Sequence, residues 1–221
     1  MPGDPVRVGW ELTDRLRAAA VVVFILLNVL NAVVIIDGDF DNEGMLWVLL
    51  DREGNPATWF SSTILLAGAI CAAACALVDV IDSKTFWNVL AIVLVLMSIE
   101  EVAQFHELVA GNLSATIEGG LAAVWVIPGS VLAVGILVAL ATQARRLDPS
   151  VRRQLLFGGV LFAVGAMGIE LLNETTRPDD ASARRYLSIA TLEENLELIG
   201  AMVIAQCCSV HLRALVGPDH G

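Results

Sequence analysis

The chain has 221 residues, of which 57% are hydrophobic, and a formal net charge of −11 at pH 7. Soluble domains average about 45–50% apolar residues, and here the excess is gathered in blocks of about 20, which excludes an ordinary water-soluble domain in favour of bilayer-spanning helices. The acidic balance argues against a nucleic-acid partner, which would need a basic patch, and the lack of period-two patterning argues against a membrane β-barrel.

The pattern predicts an all-α, polytopic integral membrane protein of the cell membrane. It reads as a single membrane domain over 1–221, a six-transmembrane-helix bundle with spans near 16–36, 58–81, 86–109, 118–142, 155–175 and 187–214. The first block follows Arg15 and Arg17 in the manner of a signal peptide. No small-residue cleavage site precedes Asp37-Gly38-Asp39, so it reads as a retained span. If both termini are cytoplasmic, nine basic residues fall inside: Arg7, Arg15, Arg17, Lys84, Arg145, Arg146, Arg152, Arg153 and Arg213. Only Arg52, Arg177, Arg184 and Arg185 fall outside, and that bias sets the orientation.

The first outer loop is acidic, with Asp37, Asp39, Asp41, Glu43, Asp51 and Glu53 against Arg52 alone. It reads first as a solvated loop and second as a cation-gathering entrance. Within it, Met45 to Leu50 is too short to cross. It fits either an interfacial helix, with Trp47 and Trp59 at headgroup depth, or a loop packed on the bundle. In the second span Ala67, Cys71 and Cys75 recur every four residues, and Gly158, Gly159, Gly165 and Gly168 line the fifth. Such small faces let helices approach closely and also suit a homo-oligomer. Pro128 and Gly129 fall mid-span in the fourth helix, where they can kink it. The four cysteines lie inside apolar spans, so no disulfide framework is implied. Cys207 and His211, four apart, could hold a soft metal, though packing is the commoner role of such cysteines.

Two glutamate pairs carry the functional signal. Ser98-Ile99-Glu100-Glu101-Val102-Ala103-Gln104 matches Thr191-Leu192-Glu193-Glu194-Asn195-Leu196-Glu197. A carboxylate in hydrocarbon costs roughly 2.5–3.5 kcal/mol on insertion scales, so intramembrane acids usually mark ion binding, proton handling or catalysis. Counted at about 1.5 Å per residue, Glu101 falls ~10 Å below the outer surface if its span runs to Leu108, Glu170 ~8 Å and Glu194 ~10 Å. Glu193, Glu194 and Glu197 could instead sit at the hydrocarbon border, because Leu198 to Val216 is long enough to cross alone. Glu100, Glu101, Gln104 and Glu107 cover about a third of their helix, and Glu193, Glu194 and Glu197 do the same on theirs. Lipid rejects such faces, which should turn into the bundle and toward each other, with Glu170, Asn173 and Glu174 as a third wall.

Carboxylates so gathered cannot all ionise without a counter-charge. Either several stay protonated, or Arg177, Arg184 and Arg185 reach down and pair with them, or a cation neutralises them. In the last case the candidate metal ligands are Glu100, Glu101, Gln104, His106, Glu107, Glu170, Glu174, Glu193, Glu194 and Glu197. Oxygen ligands suit a divalent Ca²⁺, Mg²⁺ or Mn²⁺, and Fe or Zn²⁺ if His106 joins them. His106 points about 120° from Glu100, so an interfacial histidine is its simpler role. Neither the E-x-x-H pairs of a di-iron bundle nor H-E-x-x-H occurs. No catalytic residue is assigned.

The motifs lie 93 residues apart, three spans to each half, so the halves run in opposite senses. Inverted repeats accompany transporters, but the match covers only about seven residues and sets both motifs in the outer half, which a strict inverted repeat would not produce. Three functions compete. First comes a transporter or channel for a divalent cation or coupled to protons, with the lipid bilayer and a cation as partners. Second is a membrane-embedded metalloenzyme acting on a lipid-phase substrate near the outer leaflet. Third is a structural subunit of a membrane complex. A transporter also needs a polar path to the cytoplasm, for which the spans offer Asn28, Asn31, Asn88, Ser98, Gln206 and Ser209.

Overall fold

The computed structural model describes residues 5–38, 43–52, 54–79, 81–105, 123–169 and 183–217, and these are all-helical apart from turns and connections. The helices are α1 (Pro5–Asp37), a single turn α2 (Glu43–Leu46), α3 (Pro56–Val78), α4 (Ile81–Ala103), α5 (Ala123–Gln143), α6 (Pro149–Ala163) and α7 (Ala183–Val216). A 3₁₀ turn, Ala144–Arg146, links α5 to α6, and α6 continues as a π-helix over Val164–Ile169. Four helices are long and apolar enough to cross a membrane: Trp10–Asp37, Pro56–Val78, Ser83–Ala103 and Arg184–Val216.

Local chemistry sets the ends. Asn55 caps α3, its side-chain oxygen accepting from the Thr58 amide at 3.0 Å, and Pro56 starts the helix where no intrahelical donor is needed. Asp148 and Pro149 repeat the device on α6. The Ser150 hydroxyl and amide beside Asp148 hold its carboxyl below the usual carboxylate range. Gly38 ends α1 at φ +74°, the left-handed conformation that favours glycine. A Cβ there would also meet the Arg184 guanidinium.

The long helix α7 is the mast of the bundle. α6 crosses it where both helices lack side chains: a Cβ on Gly200 would stand 2.7 Å from the Gly158 carbonyl oxygen and 2.7 Å from the Phe162 nitrogen. α3 crosses its other side at Gly68, whose added Cβ would touch Ala205 at 3.3 Å and Leu94 of α4 at 3.4 Å. Small residues at crossings permit backbone-to-backbone packing, the main source of helix association where apolar burial gives little drive. The core between these helices holds Leu65, Ala72, Trp87, Leu94, Ala201 and Ile204. α1 lies antiparallel along α7. Asp14 bonds to Arg213 at 3.1 Å, Arg17 donates to Ser209, Asn195 donates to Asn28 at 2.8 Å and Asn31 to Thr191 at 2.9 Å.

α3 runs parallel to α7, whereas α4 runs antiparallel to α3, with Ser62 hydroxyl-bonded to Ser98 at 2.9 Å. One end of the bundle thus gathers the start of α3, the end of α4 and the upper part of α7 (the glutamate end). The other gathers the start of α1 and the end of α7 (the terminal end). The segment after α2 packs on the bundle: Leu49 and Leu50 are buried, and the Leu50 amide donates to Asn31. Leu49 and Leu50 thus pack on the bundle as the loop reading expects, while Trp47 and Trp59 are exposed. α6 starts at Pro149 instead of 155, because Asp148 supplies a cap that hydropathy alone does not register.

The Gly200 crossing yields a paired test. Gly200→Ala should destabilise by about 1–3 kcal/mol, since the new methyl overpacks against α6 backbone. Gly135→Ala, with nothing within 4 Å of the added carbon, should be neutral or stabilising by up to about 1 kcal/mol through helix propensity. Thermal melts in detergent of the two variants check the contrast.

Candidate functional site

Gly68, touching Leu94 of α4 and Ala205 of α7, fixes one level across three helices. From that level, at about 1.5 Å per residue, Glu101 stands ~11 Å toward the glutamate end, Glu197 ~12 Å and Glu194 ~17 Å. The two motifs arrive at this height from opposite directions, as the antiparallel run of α4 and α7 requires. Glu101 is seven residues beyond buried Leu94 and so shares its inward face. Glu194 is seven residues before buried Ala201 and shares the α7 face that meets α3. Glu193 and Glu197 turn instead toward the π-helix. A Cβ on Gly165 would lie 2.7 Å from Glu197 Cγ and 2.9 Å from the Glu193 carbonyl oxygen. All five glutamates of the motifs are half-buried.

Backbone irregularity brackets the acids. α4 stops at Ala103, and Gln104 takes φ +53° with its amide bonded to the Glu100 carbonyl at 2.9 Å. This corrects the expected continuous helix to 109. A left-handed residue closes the helix, so Glu101 sits in its last turn and not seven residues below its end, and Gln104 no longer follows the helical face of Glu100 and Glu101. A left-handed non-glycine residue costs roughly 1–2 kcal/mol and tends to occur where function holds it. The second irregularity is the π-helix Val164–Ile169 against Glu193 and Glu197; π-turns inside helices are frequent at functional sites.

A band of buried polar side chains surrounds the acids: Asn31, Asn55 and Thr58 at or beyond their height, Ser61 level with Glu101, and Ser98 below. Ser62 and Ser98 hold each other reciprocally, each hydroxyl also reaching the other's carbonyl at 2.9 Å. Asn55, Thr58, Ser61 and Ser62 carry no signal in the sequence that separates them from the polar start of a span, because Ser61-Ser62-Thr63 shows no helical period. Asking which α3 residues could face Ser98 would have found them.

Below this band the interior is apolar from Leu65 and Leu94 to Ala72, Ala201 and Ile204. The expected polar path is therefore interrupted. Asn88 and Gln206 are exposed on the outside of their helices, while Asn31, Ser98 and Ser209 are buried. A second polar group stands at the terminal end, where Asp79 accepts from Ser83 at 2.7 Å and Trp87 Nε1 at 2.6 Å. His211 stacks on Trp87 and lies 3.5 Å from Asp79.

His106, Glu107, Glu170, Asn173 and Glu174 lie outside the described residues. Among the described residues no three His, Cys, Asp or Glu side chains form a group able to hold a metal. The thiols act as packing groups: Cys207 faces the Val151 carbonyl at 3.7 Å and Cys75 the Cys208 carbonyl at 3.6 Å. Cys207 and His211 thus turn to different neighbours.

The strained cap generates a test. Gln104→Gly should raise stability by about 1 kcal/mol, because glycine adopts positive φ freely. Gln104→Ala, which keeps the strain and removes the amide, should not. Denaturant or thermal unfolding of both variants separates backbone strain from side-chain loss.

No curated protein and no solved structure matches the chain. A family model described as a domain of unknown function (DUF8692) matches residues 16–212, and the chain belongs to that family.

Proposed function

We propose that this is a six-span protein of the cell membrane, with both termini cytoplasmic, that binds a cation at its outer glutamates and couples that binding to transport. Four spans are apolar helices of sufficient length. The fifth is α5, 21 residues without a charge. The sixth is α6 with its π-helix, which runs unbroken from Pro149 to Ile169. The excess of arginine at the terminal end supports the orientation.

The observation that carries the reading is the common height of Glu101 and Glu197, with Glu194 about one helical turn further out, on helices of opposite direction, between a left-handed cap and a π-helix. Broken helices that meet near a repeat boundary are the common architecture of transporter ion sites. The reading assigns Glu101, Glu194 and Glu197 as first ligands, with Glu170 and Glu174 completing the set. A divalent ion such as Ca²⁺, Mg²⁺ or Mn²⁺ matches all-oxygen coordination, and a proton can replace it on the same carboxylates. The apolar interior between Ser98 and Trp87 then corresponds to an occluded conformation. Alternating access would require α3 and α4 to move against α7.

That same apolar barrier favours a second reading. A site open only to the outer rim suits a metal-dependent enzyme working on a lipid-phase substrate, which needs a pocket and no path.

Two measurements decide. If an ion neutralises the carboxylates, it stabilises the folded state by about 2.7 kcal/mol at a hundredfold excess over its dissociation constant. Chelator-treated protein should melt lower, one ion should restore it best, and the effect should vanish in Glu101→Gln and Glu194→Gln but persist in Glu11→Gln at the opposite end. A melting point indifferent to chelator and ions contradicts the site. Ion flux into proteoliposomes then separates the readings: ion-dependent stability with flux supports transport, and ion-dependent stability without flux supports the enzyme.

A further inference from the structure

Between α5, α4, α6 and α7 lies a shallow cleft, open on one side and lined by apolar residues. Leu137, Leu140 and Ala144 form one wall, at helical spacing along a single face of α5 and its 3₁₀ extension. Leu155, Leu156 and Gly159 form the facing wall on α6, with Phe86 and Ile204 behind. The cleft is narrow where a Cβ on Gly159 would meet Leu137 at 3.2 Å.

The rim of this cleft is cationic. Ala144 leads directly into Arg145 and Arg146, and Arg152 and Arg153 precede Leu155 by three and two residues. Arg152 is the decisive one. Its spacing to Leu155, Leu156 and Gly159 is three, four and seven, so it heads the same stripe of α6 that forms the apolar wall. It is half-buried, whereas Arg145 and Arg153 are exposed. Helical side chains lean toward the N-terminus, which carries the guanidinium of Arg152 toward the connecting turn, at headgroup height. The only acid between Ala144 and Arg153 is Asp148, already engaged by Ser150.

An apolar slot below a cluster of arginines is complementary to one molecule of the surrounding bilayer. We propose that this cleft seats an anionic phospholipid of the cytoplasmic leaflet, with part of an acyl chain lying along the groove between α5 and α6 and the phosphate at Arg152, aided by Arg145. Orientation bias accounts for arginines somewhere in this loop. It does not account for one aligned over an apolar cleft, and basic pockets between helices on that side recognise anionic headgroups. The inference rests on the membrane-spanning reading and is independent of the glutamates.

The test uses protein purified in mild detergent and titrated with phosphatidylglycerol or phosphatidylcholine of identical chains, with bound lipid read by native mass spectrometry. Phosphatidylglycerol should be retained and phosphatidylcholine lost. Arg152→Gln should weaken retention of the anionic lipid roughly fivefold, and Arg152→Lys should preserve most of it. Inorganic phosphate should not compete, since it lacks the chain that lies along the groove. Equal retention of the two lipids by the parent protein overturns the proposal whatever the variants do, as does undiminished retention by folded Arg152→Gln or displacement by phosphate. Unchanged ion-dependent melting in Arg152→Gln keeps this result separate from the fate of the glutamate site.

Discussion

Helix α7 holds α6 and α3 against it because glycine and alanine meet at the two places they cross. At Gly200 the α6 backbone comes within reach of a single added methyl, and at Ala205 the bare Gly68 of α3 does the same. In a bilayer the helices gain little by hiding apolar surface from lipid, so this close fit supplies the van der Waals contact that holds them together. The crossings also set the register. Once Gly158 faces Gly200, Gly165 must face Glu193 and Glu197, seven residues along one helix and three to seven along the other. The position of the acids is therefore a consequence of packing. They cannot shift along α7 without opening the crossing.

The bundle that results is layered. A polar band with glutamates occupies one end, an apolar band of leucine, isoleucine and alanine the middle, and the Asp79–Trp87–His211 group the other end. Hydrogen bonds in the first band join α1 to α7 through Asn28 and Asn31, and α3 to α4 through Ser62 and Ser98. In a low-dielectric setting each of these donors would otherwise be left unsatisfied, so the band makes the arrangement specific as well as stable. The apolar middle keeps the polar ends apart. Any passage between them requires movement of whole helices, which the small residues along α3 and α7 would permit.

Much of this was legible in the sequence. Blocks of apolar residues place the long helices, but the four-residue spacing of Ala67, Cys71 and Cys75 misses the packing face of α3, which runs through Leu65, Gly68, Ala72 and Cys75 while Ala67 is exposed. The paired motifs lie toward one end of the bundle, and the motif spacing implies the opposite directions of α4 and α7. Other features were not legible for physical reasons. The chain beyond Gln104 stays apolar enough to read as continuing helix, so the left-handed stop is invisible without backbone geometry. The cap at Asp148 precedes residues too polar to register as a span. Asn88 and Gln206 were placed on a path by belonging to spans, yet facing decides the matter, and both lie outside. Gly200 stands alone in its segment, and only its partner Gly158 gives it meaning.

The central claim is that Glu101 and Glu194 serve one ion. A structure determined in lipid with that ion present tests it most directly. The account predicts one ion with carboxylate oxygens of Glu101 and Glu194 at about 2–2.6 Å from it. Side chains of Glu101 and Glu194 separated by more than ~15 Å in the ion-loaded protein would contradict it, because no single cation spans that gap.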